Sequence, residues 1–302
     1  MQLNIPMMKN DVLSATSPTF VLLIASLIKE HCNTENFLWL QQKAELINTT
    51  NDLLQTQLCF AAIPRKIEKK TLHLNADQQN KISYLLPGLY MEGWSFHRLC
   101  RLYILIQIDA AEKGQYCKLI EGLFANAEMN ERADLYAALP VFSFPEYWIK
   151  CCVEGIRSNM GIVLEAIMYN NPYPAKYLQE AAWNQMVLKA FFTEKDINRI
   201  VGLDERANSS LAKTLIDYAA ERRAAKRSIN VQLWRLAGKF IDETNYEIIK
   251  NLFADADEKT RFAAALACYA SDYKPARQLL NTAPEIEQKI KENKLSWINI
   301  SA

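Results

Sequence analysis

Apolar positions recur three and four residues apart along most of the chain, the spacing that gives a helix one buried face. Strict alternation of Val, Ile or Thr between Asn-Gly or Asp-Gly turns, the mark of hairpins, does not occur in any sustained stretch. The pattern predicts helices over about 18–31, 35–48, 51–62, 75–86, 94–113, 115–125, 131–138, 145–156, 160–169, 174–192, 208–226, 230–240, 244–253, 258–270 and 284–293. Asp257 is placed to cap the helix entered through Glu258. Pro174 suits a first helical turn, where a missing N–H costs nothing, and Pro172 with Pro174 predicts an extended Asn171–Tyr173.

The later half reads as helix pairs of uneven length, which predicts an all-α, irregular HEAT-like helical-repeat (α-solenoid) architecture. Its clearest unit is the acidic turn Asp255–Arg261 followed by Phe262-Ala263-Ala264-Ala265-Leu266-Ala267, whose small residues let helices approach closely. Asp204-Glu205-Arg206-Ala207-Asn208 leading into Leu211-Ala212 is a looser echo. The basic stretch Arg65-Lys66-Ile67-Glu68-Lys69-Lys70 breaks the pattern and marks a boundary between an N-terminal helical region, 1–74, and a body, 75–302, unless the two form one continuous domain.

Composition agrees with helices: 302 residues hold 8 Gly and 10 Pro, and half of them are apolar. Such a chain buries enough surface to offset its ordering entropy, which excludes disorder. With 35 basic and 34 acidic residues it is not a globally basic nucleic-acid binder. Seven cysteines without a Cys-x-x-Cys pair, mostly inside apolar stretches, read as buried thiols of a reducing compartment. Met1 to Ser17 has no basic start, and the run Phe20–Ile28 is far short of the roughly 20 residues that span a bilayer, so a cytoplasmic location is expected.

Familiar catalytic signatures are missing: no Gly-rich phosphate loop, no Gly-x-Ser-x-Gly, no His-Glu-x-x-His and no paired-cysteine zinc site. His31, His73 and His97 stand alone, and Cys151-Cys152, after Tyr147-Trp148, lies in an apolar helix that disfavours a thiolate. No cofactor or metal is expected; an oxygen-only site from Glu180, Asp204 and Glu205 leaves no distinctive spacing. Attention falls instead on Arg157 to Arg206. On one continuous helix Tyr177, Glu180 and Asn184 share a face at i, i+3 and i+7. Together with Arg157, Asn171, Tyr173, Asp204 and Arg206 they form a candidate polar cluster, either a ligand site or a network locking two repeats. Arg101, inside the apolar run Leu99–Ile106, calls for a structural ion pair or an anion.

The block Asn171-Pro172-Tyr173-Pro174-Ala175-Lys176-Tyr177 through Glu180-Ala181-Ala182-Trp183-Asn184-Gln185 resembles the EboA family. The likeness runs on through Ile200–Asn208, Asp217-Tyr218-Ala219-Ala220-Glu221-Arg222 and Leu233-Trp234-Arg235, about 144–270 in all. Upstream it adds little beyond the Arg98–Gln107 helix. Where the family commonly has a His before Glu-Arg, this chain has Ala220. The resemblance implies bacterial proteins encoded beside a UbiA-like membrane prenyltransferase and TIM-barrel proteins, in clusters associated with localisation or export of small metabolites.

Two functional readings follow. One is a non-catalytic accessory or scaffold protein that binds a partner protein or small metabolite near the inner membrane, with no transmembrane segment and no nucleic acid. The other is an enzyme or carrier with a polar pocket around Glu180, in which the carboxylate is a general base and Arg206 holds an anion.

Overall fold

The computed structural model describes residues 17–300, so most of the N-terminal stretch read for targeting signals lies outside the described residues. Among those described there are seventeen α-helices, four short 3-10 helices and no strand; the one β-bridge pairs Thr71 with Ser95. The chain divides into two compact units, Met1–Leu178 and Gln179–Ala302, and position 75 falls inside the first.

The first unit holds α1 (Pro18–His31), α2 (Thr34–Thr50), α3 (Leu53–Lys66), α4 (Ala76–Leu85), α5 (Phe96–Leu105), α6 (Lys113–Asn126), α7 (Met129–Ala137), α8 (Ile149–Arg157), α9 (Gly161–Met168) and α10 (Tyr173–Tyr177). Five of these start on a side-chain cap: Ser17, Asn33, Asp52, Asn75 and Ser95 each accept a first-turn amide. Helix α5 is the centre, because every residue from Leu99 to Leu105 is buried and α1, α2, α3 and α7 pack around it. Arg101 is among those buried residues, 4% exposed. Its Nη1 donates to Asp134 Oδ2 at 2.7 Å and its Nη2 to the Phe60 carbonyl at 3.1 Å, while Arg98 Nε donates to Asp134 Oδ1 at 2.7 Å.

The second unit holds α11 (Glu180–Phe192), α12 (Ser209–Ala224), α13 (Leu233–Ala237), α14 (Tyr246–Phe253), α15 (Glu258–Ala270), α16 (Lys274–Asn281) and α17 (Pro284–Lys291). Here α15 is the hub, packing against α13, α14, α16 and α17. Asp257 caps it, accepting from the Thr260 amide at 2.8 Å. Ala263 to Cys268 are all buried, and a Cβ on Gly238 would sit 3.0 Å from the Ala267 backbone, so small residues on both sides permit this approach.

Several expected helices change. The one over 94–113 ends at Leu105, since Asp109 turns its carboxylate onto the Ala111 amide and competes with helical bonding. The one over 174–192 is two helices, because Leu178 turns extended and buries its side chain. The expected extended Asn171–Tyr173 is also corrected. Pro172 is right-handed helical and Tyr173 opens α10, held there by its amide donating to Asn171 Oδ1 at 3.0 Å. That local bond outweighs the steric bias of a residue before proline. Helix α16 is additional. No helix among the described residues is long and apolar enough to cross a membrane.

Candidate functional site

In the first unit, the segment from Phe142 to Trp148 places four aromatic rings within seven residues. It leaves α7 through a 3-10 turn and re-enters helix at Pro145–Trp148, with Phe144 between them in the left-handed region at φ 56°. A non-glycine residue held there stores about 1–2 kcal/mol of strain and needs surroundings that over-determine it. Three buried side chains do so. Tyr116 Oη accepts from the Ser143 amide at 3.2 Å, Trp148 Nε1 donates to the Ser143 carbonyl at 2.8 Å, and Tyr173 Oη donates to the Pro145 carbonyl at 2.6 Å.

This corner forms one wall of a cavity of about 890 Å³ bordered by α6, α7 and α8. Its apolar lining is Phe124, Tyr136, Trp148 and Met160, and its charged lining is Glu121, Glu146, Glu154, Arg132 and Lys150. The rings meet edge to face, Phe124 with Tyr136 at 5.0 Å and Tyr147 with Trp148 at 4.9 Å. Tyr147 Oη donates to Glu121 at 2.6 Å, a bond that, with its partner charged, pushes the phenol up to about 12. Cys151 also lines the cavity, but burial pushes its thiol up to about 11, so it is not a thiolate near neutral pH. Burial likewise raises Tyr136. Gly155 is required beside this wall: a Cβ would lie 2.6 Å from the Tyr136 ring and from Ile167 Cδ1.

Asn171 and Tyr173, both expected in a polar cluster, are buried supports of this cavity. Asn171 Nδ2 donates to the carbonyls of Tyr136 at 3.2 Å and Ala166 at 2.9 Å, fastening the end of α7 to α9, while its Oδ1 holds the Tyr173 amide. Tyr177, half-buried, stacks at 4.9 Å on Tyr173, with Lys176 over its outer face. Arg157 is exposed in the last turn of α8, where a cation suits the helix dipole.

Glu180, Asn184, Asp204 and Arg206 belong to the second unit. Because α10 and α11 are separate helices, Tyr177 does not share a helical face with Glu180 and Asn184. Glu180 is exposed in the first turn of α11. Arg206 lies 4.7 Å over the Trp183 ring; burial lowers its pKa and the charge of Glu180 opposes that. Asn184 and Asn208 exchange amide hydrogen bonds at 3.1 and 2.9 Å, and Asn208 also caps α12 through the Leu211 amide. Asp204 takes both Nε and Nη2 of Arg235, whose Nη1 donates to Asn198 at 3.0 Å. The Trp-Asn block thus ties α11 to α12, and Asp204 ties its turn to α13.

The cavity residues Tyr136, Tyr147, Trp148 and Glu121 were not singled out from the sequence, although the ring density around Pro145 was a usable signal. No group of His, Cys, Asp and Glu among the described residues is arranged to hold a metal ion.

No curated protein and no solved structure gives a significant match to the chain. The family described as metabolite traffic protein EboA matches residues 20–238. That match starts further upstream than the 144–270 resemblance, and takes in α1 to α13 together with the whole aromatic cavity and its supports. By that match over well more than half of its length, the chain belongs to the EboA family.

Proposed function

We propose that this protein is a non-catalytic binding component of metabolite traffic, holding a small metabolite in the aromatic cavity of its first unit. The observation that carries this reading is the cavity itself, about 890 Å³, within the roughly 300–1,000 Å³ of small-molecule sites, with an apolar floor and a charged rim. Half-buried Cys151, its thiol raised to about 11, argues against nucleophilic chemistry there. The family description points to traffic of a metabolite rather than its conversion. Under this reading the second unit is a stack of HEAT-like helix pairs offering a face to a partner protein, at a cytoplasmic location near the membrane. The packing of α15 between α14 and α16 supports that part.

The test uses Ala125, an exposed residue lining the cavity. Wild-type protein and Ala125→Trp, purified from native extract, are compared for bound small molecules by mass spectrometry. A compound enriched on the wild type and lost from the filled variant is the expected result. Identical small-molecule profiles for the two proteins would sink the proposal.

A further inference from the structure

Building on the cavity reading above, we infer that the occupant is an organic cation: a protonated or quaternary amine carried on an apolar or aromatic body. The rim carries three carboxylates, Glu121, Glu146 and Glu154, against two cations. Arg132 Nη2 donates to the carbonyls of Phe124 and Ala127 at 3.4 and 3.3 Å, which holds that guanidinium against the end of α6. Lys150 stands one helical turn before Glu154 on α8. Glu121 is different, because its hydrogen-bond partner is the neutral phenol of Tyr147.

That phenol fixes one carboxylate oxygen beside the exposed Tyr147 ring, which Trp148, 2% exposed, backs edge to face. Carboxylate and aromatic faces together attract a cation by charge and by ring quadrupole, and a partly desolvated floor strengthens both. The Tyr147 ring already meets a cation in this way, since Lys113 sits 5.9 Å from its centroid and 5.5 Å from that of Phe144. An anionic ligand would meet a rim with three carboxylates against two cations. A wholly neutral one would leave the oriented carboxylate unused. The strained Phe144 corner gives the site its rigidity, since Tyr116, Trp148 and Tyr173 hold the ring pair before any ligand arrives.

Three probes of one size separate the possibilities: phenyltrimethylammonium, its neutral isostere tert-butylbenzene, and the anion benzenesulfonate. Each is titrated by saturation-transfer NMR into the full chain, Glu121→Gln and Ala125→Trp. Both positions are exposed, and Gln still accepts the Tyr147 hydrogen bond, so the fold is retained. The expected result is a preference of about tenfold for the cation over its neutral isostere. Glu121→Gln should remove that preference and leave the neutral probe unchanged, and Ala125→Trp should abolish binding of both. Binding of all three without a cation preference, still blocked by Ala125→Trp, overturns the cation inference while the cavity reading stands. Binding insensitive to Ala125→Trp, or none at all, overturns both.

Discussion

Replacing Arg101 by Ala should be among the most damaging single changes in the first unit. The guanidinium is 4% exposed and its partner Asp134 has a side chain 5% exposed, so neither charge can reach water when the other is removed. Breaking a pair buried to this depth costs about 3–5 kcal/mol. Two details place the variants within that range. Arg101→Ala leaves Asp134 its second bond, from Arg98 at 2.7 Å, and strips the Phe60 carbonyl of a donor, which sets the loss at about 3 kcal/mol. Asp134→Ala instead takes the 2.7 Å partner from two guanidinium groups, leaving Arg101 the longer pair with Glu131 at 3.5 Å and the Phe60 carbonyl, and should cost about 3–5 kcal/mol. The double change Arg101→Met with Asp134→Leu removes both charges and keeps the volume, so it should be milder than either single truncation. Urea denaturation read by hydrogen exchange in peptides of α5 and α7 isolates the first unit from the second. A loss under about 1 kcal/mol for Arg101→Ala, or a double variant less stable than both single truncations, would refute the buried-pair reasoning.

Asn171→Ala removes three buried hydrogen bonds at once and should destabilise the first unit by about 3 kcal/mol, whereas Tyr173→Phe, losing one bond to Pro145, should cost about 1 kcal/mol and raise amide exchange over 143–148; equal effects in a thermal and exchange comparison would disprove the strut role. Because burial lifts the Cys151 thiol to about 11 from an ordinary value of 9.0, its alkylation by iodoacetamide in the native protein should keep rising tenfold per pH unit past pH 9, where an exposed thiol has levelled off; a plateau near pH 9 in a mass-resolved rate profile would contradict this.

Sequence patterning determined the class of this protein. Periodic apolar positions and scarce glycine specify helices, and capping residues such as Asp257 act over three or four residues, so both are local and readable along the chain. The need of Arg101 for a partner was equally legible, since burial of a guanidinium in an apolar run carries its own demand. The identity of that partner was not, because Asp134 lies thirty-three residues away on another helix. Helix phase failed at Leu178, where burying one leucine turned the backbone and detached Tyr177 from Glu180 and Asn184. The Asn171-Pro172-Tyr173-Pro174 motif stood out in the sequence as polar, yet tertiary packing made Asn171 and Tyr173 internal struts. Their bonds reach carbonyls of Tyr136 and Pro145, backbone groups that carry no sequence signature. The cavity depends on the same long-range packing. Residues from α6, α7, α8 and a strained corner border one space only after the helices have docked, and that juxtaposition is a property of the tertiary structure alone.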